Sequence, residues 1–192
     1  MHGRRCVVAR RGEVLESPIN RQRAVFRETA WETGGDLLRL DFYVGPGGFL
    51  SNEHLHPKQE ERIEVLSGTL RCRVGGHERD LDRGAAVTVP PGTTHTLWNE
   101  GKVEAHALVE YRPALKMEPL FEILFGLGRD GMTDEQGSPN LLQGAVMLKE
   151  YEDEYRLARP PLYVQKVLLA VLAPLGRVLG YRGRYPRYSG PS

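Results

Sequence analysis

The residues able to do chemistry lie in two short segments. The first reads Gly48-Phe-Leu-Ser-Asn-Glu-His54-Leu-His56-Pro-Lys-Gln-Glu-Glu61-Arg-Ile-Glu-Val-Leu-Ser-Gly68. Two histidines one residue apart on a strand point to the same face, and a closed barrel has a single interior. His54 and His56 can therefore converge on one point. Glu61 follows past a bend at Pro57 and shares its parity with Ile63 and Val65, which read as an inward apolar run. Glu60 is the competing carboxylate, but its parity groups it with Arg62, Glu64 and Leu66.

The second segment reads Gly84-Ala-Ala-Val-Thr-Val-Pro90-Pro-Gly92-Thr-Thr-His95-Thr-Leu-Trp-Asn99. Pro90 and Gly92 shape a turn, and His95 opens the next strand with Leu97 and Asn99 on its face. A third imidazole thus arrives from across the barrel.

Positioning these side chains needs a sheet, and residues from about Gly34 to Tyr111 alternate short β-rich runs with turn signals. Leu38, Leu40, Phe42 and Val44 fall at period two and end in Gly45-Pro46-Gly47-Gly48. Leu70, Cys72 and Val74 alternate with Arg71 and Arg73, and Gly75-Gly76 suits a tight hairpin turn. Runs at 86–89, 94–99 and 104–111 complete the set. Residues 1–33 hold strand-like pieces, notably 25–31, expected to be edge strands or an arm.

Beyond Pro113 the period changes. Met117, Leu120, Phe121, Leu124 and Leu127 recur at helical spacing, with a break predicted over 126–131. Ser138-Pro139 reads as an N-cap and a first-turn proline for a second helix through Tyr151, with Glu150, Glu152, Asp153 and Glu154 solvated. A third apolar helix is predicted over 162–179, too short in its uncharged run to span a bilayer. Two parts follow, 1–113 as a β-barrel with an N-terminal arm and 114–192 as a helical extension.

The two segments match G-x5-H-x-H-x4-E-x6-G and G-x5-P-x-G-x2-H-x3-N without a departure, and on these motifs the chain resembles the cupin superfamily. Ten fixed positions would coincide by chance on the order of once in 10^12. The resemblance implies an all-β jelly-roll (double-stranded β-helix) barrel holding one metal, here with a C-terminal α-helical extension. The whole chain is also similar to bacterial cupins of unassigned function that carry such an extension. His54, His56, Glu61 and His95 are the expected metal ligands; no catalytic residue is assigned. Three imidazoles and a carboxylate suit Fe, Mn, Ni, Co, Cu or Zn as one divalent transition metal, rather than Ca or Mg. Four ligands on a six-coordinate ion leave two positions for water, O2 or a chelating substrate.

The leading functional expectation is a metal-dependent enzyme, oxygenase-type, acting on a small organic molecule. The alternative is a non-catalytic module that binds a metal or small ligand and signals to a partner. Sugar-nucleotide epimerases of this fold work without a metal, and the intact ligand set argues against that reading. Among other polar residues, His106 would line the cavity only if Leu108 and Glu110 also point inward. Arg39 and Tyr43 are expected on the surface, as are His2 and His77, with Cys72 buried.

Composition sets the remaining bounds. The 26 basic and 25 acidic residues give no basic excess for nucleic acid. The tail is uneven: no acidic residue follows Glu154, while Arg156, Arg159, Lys166, Arg177, Arg182, Arg184 and Arg187 do. Docking of that tail on an acidic face of the chain or its partner is expected, with membrane contact the less favoured option. Cys6 and Cys72 form no framework, and the N-terminal stretch lacks a secretory h-region, so a cytoplasmic location is expected. A homodimer is expected from exposed sheet edges and surplus apolar helix surface.

Overall fold

The computed structural model describes residues 9–49 and 52–188. His2, Cys6 and the basic N-terminal stretch lie outside them, so the expectation for His2 falls outside the described residues. Among the described residues, eleven strands form two antiparallel sheets. The larger contains β1 (Val14–Ser17), β2 (Gln22–Glu28), β3 (Leu38–Val44), β5 (Glu60–Ser67), β8 (Ala86–Val89) and β10 (Ala105–Arg112), in the order β1-β2-β3-β10-β5-β8. The smaller contains β4 (His54–Leu55), β6 (Leu70–Val74), β7 (His77–Leu81), β9 (His95–Trp98) and β11 (Arg156–Leu157), in the order β11-β4-β9-β6-β7. The fold is a jelly-roll barrel of the cupin kind with a helical extension.

Alternation decides which side chains fill the barrel. Leu38, Leu40, Phe42 and Val44 of β3, Ile63 and Val65 of β5, and Ala107, Val109 and Tyr111 of β10 are all buried, and Leu70, Cys72, Leu81 and Leu97 meet them from the smaller sheet in one core. Burying each of the larger apolar side chains favours the fold by about 1.5–3 kcal/mol before entropy is counted. The β6–β7 hairpin turns on Gly75 and Gly76 at φ 57° and 85°, left-handed values that a side chain would oppose. Of the N-terminal pieces, expected as edge strands or an arm, β1 lies at the edge of the larger sheet, whereas β2 lies inside it between β1 and β3 and stops at Glu28. Trp31 instead sits in a turn where Thr29 N donates to Glu32 Oε2.

Among the described residues, three helices follow: α1 (Met117–Arg129), α2 (Leu141–Glu150) and α3 (Leu162–Val178). Two boundaries differ from the sequence expectation. α1 runs through Gly126 and Gly128 without a break, because these glycines serve close packing. A Cβ at Gly126 would lie 2.3 Å from the Tyr188 ring, and one at Gly128 would lie 2.5 Å from Ser17 Oγ. The cap of α2 is Asn140, whose side chain accepts from Gln143 N at 3.1 Å; the Ser138 hydroxyl accepts from Asn52 Nδ2 instead.

The extension closes back on the barrel. β11 pairs with β4, Leu157 opposite His54. Gln59, fully buried, donates from Nε2 to Pro113 O and Ala114 O at the junction between the two parts proposed from the sequence. The basic tail folds over α1 and α2, where Tyr188 OH donates to Asp130 at 2.8 Å, Tyr185 OH to Gln143 at 2.6 Å, and Arg177 pairs with Glu150. No helix among the described residues is long and apolar enough to cross a membrane.

Candidate metal centre

β4 delivers His54, and His56 follows it with the same facing; β9 delivers His95, which pairs directly opposite His54 in the sheet. β5 brings Glu61 from the other sheet, its neighbours Ile63 and Val65 pointing the same way. All four residues are buried, and one ligand atom from each lies within 4.8 Å of the others. Glu60 sits half-buried on the outer face of β5, outside this cluster.

The outward-facing nitrogen of every imidazole is tied to a backbone carbonyl. His54 Nδ1 reaches Asn52 O at 3.0 Å, His56 Nδ1 reaches Glu154 O at 2.6 Å, and His95 Nδ1 reaches Thr93 O at 3.1 Å. A carbonyl can only accept, so each Nδ1 carries a hydrogen and Nε2 is left as the ring nitrogen that can ligate. On the carboxylate, Tyr111 OH donates to Glu61 Oε1 at 2.8 Å, which turns Oε2 inward. Oε2 lies 2.6 Å from His95 Nε2 and 3.2 Å from His56 Nε2, yet Glu61 Oε2 and His95 Nε2 have no hydrogen bond of proper geometry. Such an arrangement needs a cation at its middle, a metal ion or a proton. The orphaned inward atoms and their tethered outer atoms fit a divalent transition metal.

Electrostatics favours a ligand set ready at neutral pH. Burial, then His95 and His56, hold His54 well below the usual histidine range, so it is neutral. Burial pushes Glu61 up, but His95 and His56 beside it prevail and keep it well below the usual carboxylate range. His95 is the exception: burial pulls it down, yet the Glu61 carboxylate raises it above the ordinary value. Tyr111 is pushed well above the usual tyrosine range by burial and by Glu61, so it remains a donor.

The other polar residues fall elsewhere. His106 faces outward, stacked on Tyr43 at 4.3 Å and 2.8 Å from Asp41. Arg39 bridges Glu28 and Glu110 on the same outer face, and His77 is exposed. Cys72 is buried with a free thiol. Glu154, expected in solvent, is buried, because the chain after α2 turns inward to form β11 and brings its carbonyl to His56. Three contributors escaped the sequence reading: Tyr111, Glu154 and Tyr155. Tyr111 had a signal in its parity with Ala107 and Val109. Tyr155, stacked on His54 at 4.6 Å, had none.

Residues 40–111 match the family model for the cupin domain. That segment carries the cupin domain and contains all four clustered residues. It is 34% identical over 81 residues to the tetracenomycin polyketide synthase protein TcmJ of Streptomyces glaucescens, an alignment covering 42% of this chain and 52% of that protein. The chain thus spans about half the length of the curated relative it matches. Among solved structures it is similar to a cupin-superfamily sugar phosphate isomerase from Silicibacter pomeroyi, at 21% identity, 49% and 60% coverage and a TM-score of 0.44. An RmlC-like cupin from Shewanella frigidimarina gives 16% identity, 55% and 87% coverage and a TM-score of 0.48.

Proposed function

We propose that the chain is a metal-dependent enzyme of oxygenase type acting on a small organic molecule, with one divalent transition metal held by His54, His56, Glu61 and His95. The observation that carries this reading is the convergence of three Nε2 atoms and one carboxylate oxygen, each fixed from behind by its own hydrogen bond. Three neutral imidazoles and one carboxylate would leave a dication with a net charge near +1 inside the barrel. A bound ion of this kind supplies Lewis acidity and open adjacent positions for exogenous ligands. The chain's own part is to fix the ligand atoms, to keep Tyr111 as a donor beside the carboxylate, and to exclude water with the aromatic rings of Tyr111 and Tyr155. The name of TcmJ, a polyketide synthase protein, supports a small organic substrate.

Element analysis of protein purified from its native host tests the reading, with about one transition-metal ion per chain expected and iron favouring the oxygenase chemistry. Glu61→Gln keeps the shape and an oxygen ligand while deleting the charge, so its occupancy should fall sharply with little change in folding; Glu60→Gln should keep full occupancy. Full occupancy in Glu61→Gln with an empty site in Glu60→Gln would sink the assignment. Metal binding and ligand-induced thermal shifts without turnover on any substrate would favour the non-catalytic binding module.

A further inference from the structure

The helical extension roofs the barrel beside the metal centre, and a cavity of about 360 Å³ remains beneath it. Phe42 lines it from the barrel, Phe121 and Phe125 from α1, Ala145 from α2, Leu168 from α3, and Tyr155 from the segment that leads into β11. No Asp, Glu, Lys, Arg or His is among the described residues that line it. Its polar groups are neutral amides and hydroxyls, such as those of Asn20, Asn52 and Ser138. A phosphate or carboxylate placed there would shed its water without meeting a cation. The volume suits a small molecule.

A chain of ring contacts joins this cavity to the metal ligands. Tyr155 stacks on His54 at 4.6 Å and meets His56 edge-on at 6.5 Å. Tyr111 meets His56 at 5.3 Å and Phe121 at 5.8 Å, and Phe121 meets Phe42 at 5.7 Å. Tyr155 therefore belongs to both places, one face toward an imidazole and the remainder on the cavity wall. Aromatic walls of this kind prefer ring-bearing occupants, which they meet face-on or edge-on.

We propose that this cavity is the substrate site of the metal centre and takes an uncharged, largely apolar, ring-bearing molecule that rests against Tyr155. The assignment to substrate rests on the metal-dependent reading above; the chemical class of the occupant rests on the cavity alone.

The test is calorimetric titration of cobalt-loaded protein with 1-naphthol and with 1-naphthyl phosphate, together with the visible spectrum of the bound cobalt. 1-Naphthol should bind and shift that spectrum, and the phosphate should bind at least tenfold more weakly. Two variants narrow the cavity from different sides, Leu168→Phe on a half-open helix face and Ala145→Leu on a buried one. Each should weaken 1-naphthol tenfold or more while cobalt affinity and melting temperature hold. Failure of 1-naphthol to bind at millimolar concentration, equal binding of the two compounds, or binding untouched by both folded variants overturns the proposed ligand class. Normal 1-naphthol binding with an unmoved cobalt spectrum overturns the link to the metal centre. Protein that binds 1-naphthol with the expected selectivity but takes up no cobalt keeps the cavity and removes the metal-dependent reading instead.

Discussion

His56 donates its Nδ1 hydrogen to the backbone carbonyl of Glu154 at 2.6 Å, across 98 positions of sequence. A ligand on the barrel is thereby oriented by the extension. Glu154 is held in turn by its side chain, whose Oε1 accepts from Lys116 N at the start of α1. The extension is thus part of the centre as well as its roof.

Loosening either support should weaken the metal more than the fold. Glu154→Ala frees the segment that presents the carbonyl, and Tyr111→Phe removes the donor to Glu61 Oε1. Partners of this kind typically contribute about 10- to 100-fold to metal affinity. Each variant is expected to lose roughly tenfold in cobalt affinity by competition with a chelator. Unchanged affinity in both would show that the ligands hold their geometry unaided.

Metal uptake should release a proton. Glu61 raises His95, so over the interval between the ordinary histidine value of 6.5 and its higher folded value the metal-free centre keeps a proton that the ion must displace. Affinity should fall as the pH drops, by up to about tenfold per unit for each proton displaced. Titrations in buffers of different ionisation enthalpy will count the protons released. For the metal-free protein the Glu61 sign is that of a depressed carboxylate. Its contribution to stability is full above its unfolded value of about 4.5 and is lost as the pH falls through its lower folded value.

Gly126→Ala should lift the tail. The new Cβ would meet the Tyr188 ring at 2.3 Å, an overlap that neither the helix backbone nor a packed ring can absorb cheaply. Overpacking of this sort costs about 1–3 kcal/mol, which for a chain of this size is roughly 3–10 °C in melting temperature. Cutting the chain after Leu179 should lower the melting point similarly, and the two changes together should not add. If truncation leaves melting unchanged but abolishes binding to anionic vesicles, the tail serves a membrane surface.

We propose that two copies associate through α3. Tyr163, Val167, Val171 and Val178 are each more than 60% exposed on this helix, a run of apolar surface that water opposes. Light scattering at micromolar concentration should give twice the 21.6 kDa chain mass. Val167→Glu with Val171→Glu should return the chain mass without loss of helix content by circular dichroism. A wild-type monomer would refute the dimer.

The barrel and its four clustered residues were legible in the sequence because strand alternation is local. A period of two fixes which of Glu60 and Glu61 turns inward, His54 and His95 each open a strand after a turn, and His56 shares the parity of His54. The helices were legible for the same reason, through their 3.6-residue period, apart from glycines that read as a break. What alternation cannot encode is which distant backbone carbonyl meets an imidazole, since any residue supplies one. The roles of Glu154 and Tyr155 were therefore decided only when the chain after α2 turned inward and paired β11 with β4. The charge-free cavity is likewise a product of how α1, α2 and α3 pack over the barrel, because its lining residues come from eight or more separate stretches whose shared surface no short-range pattern records.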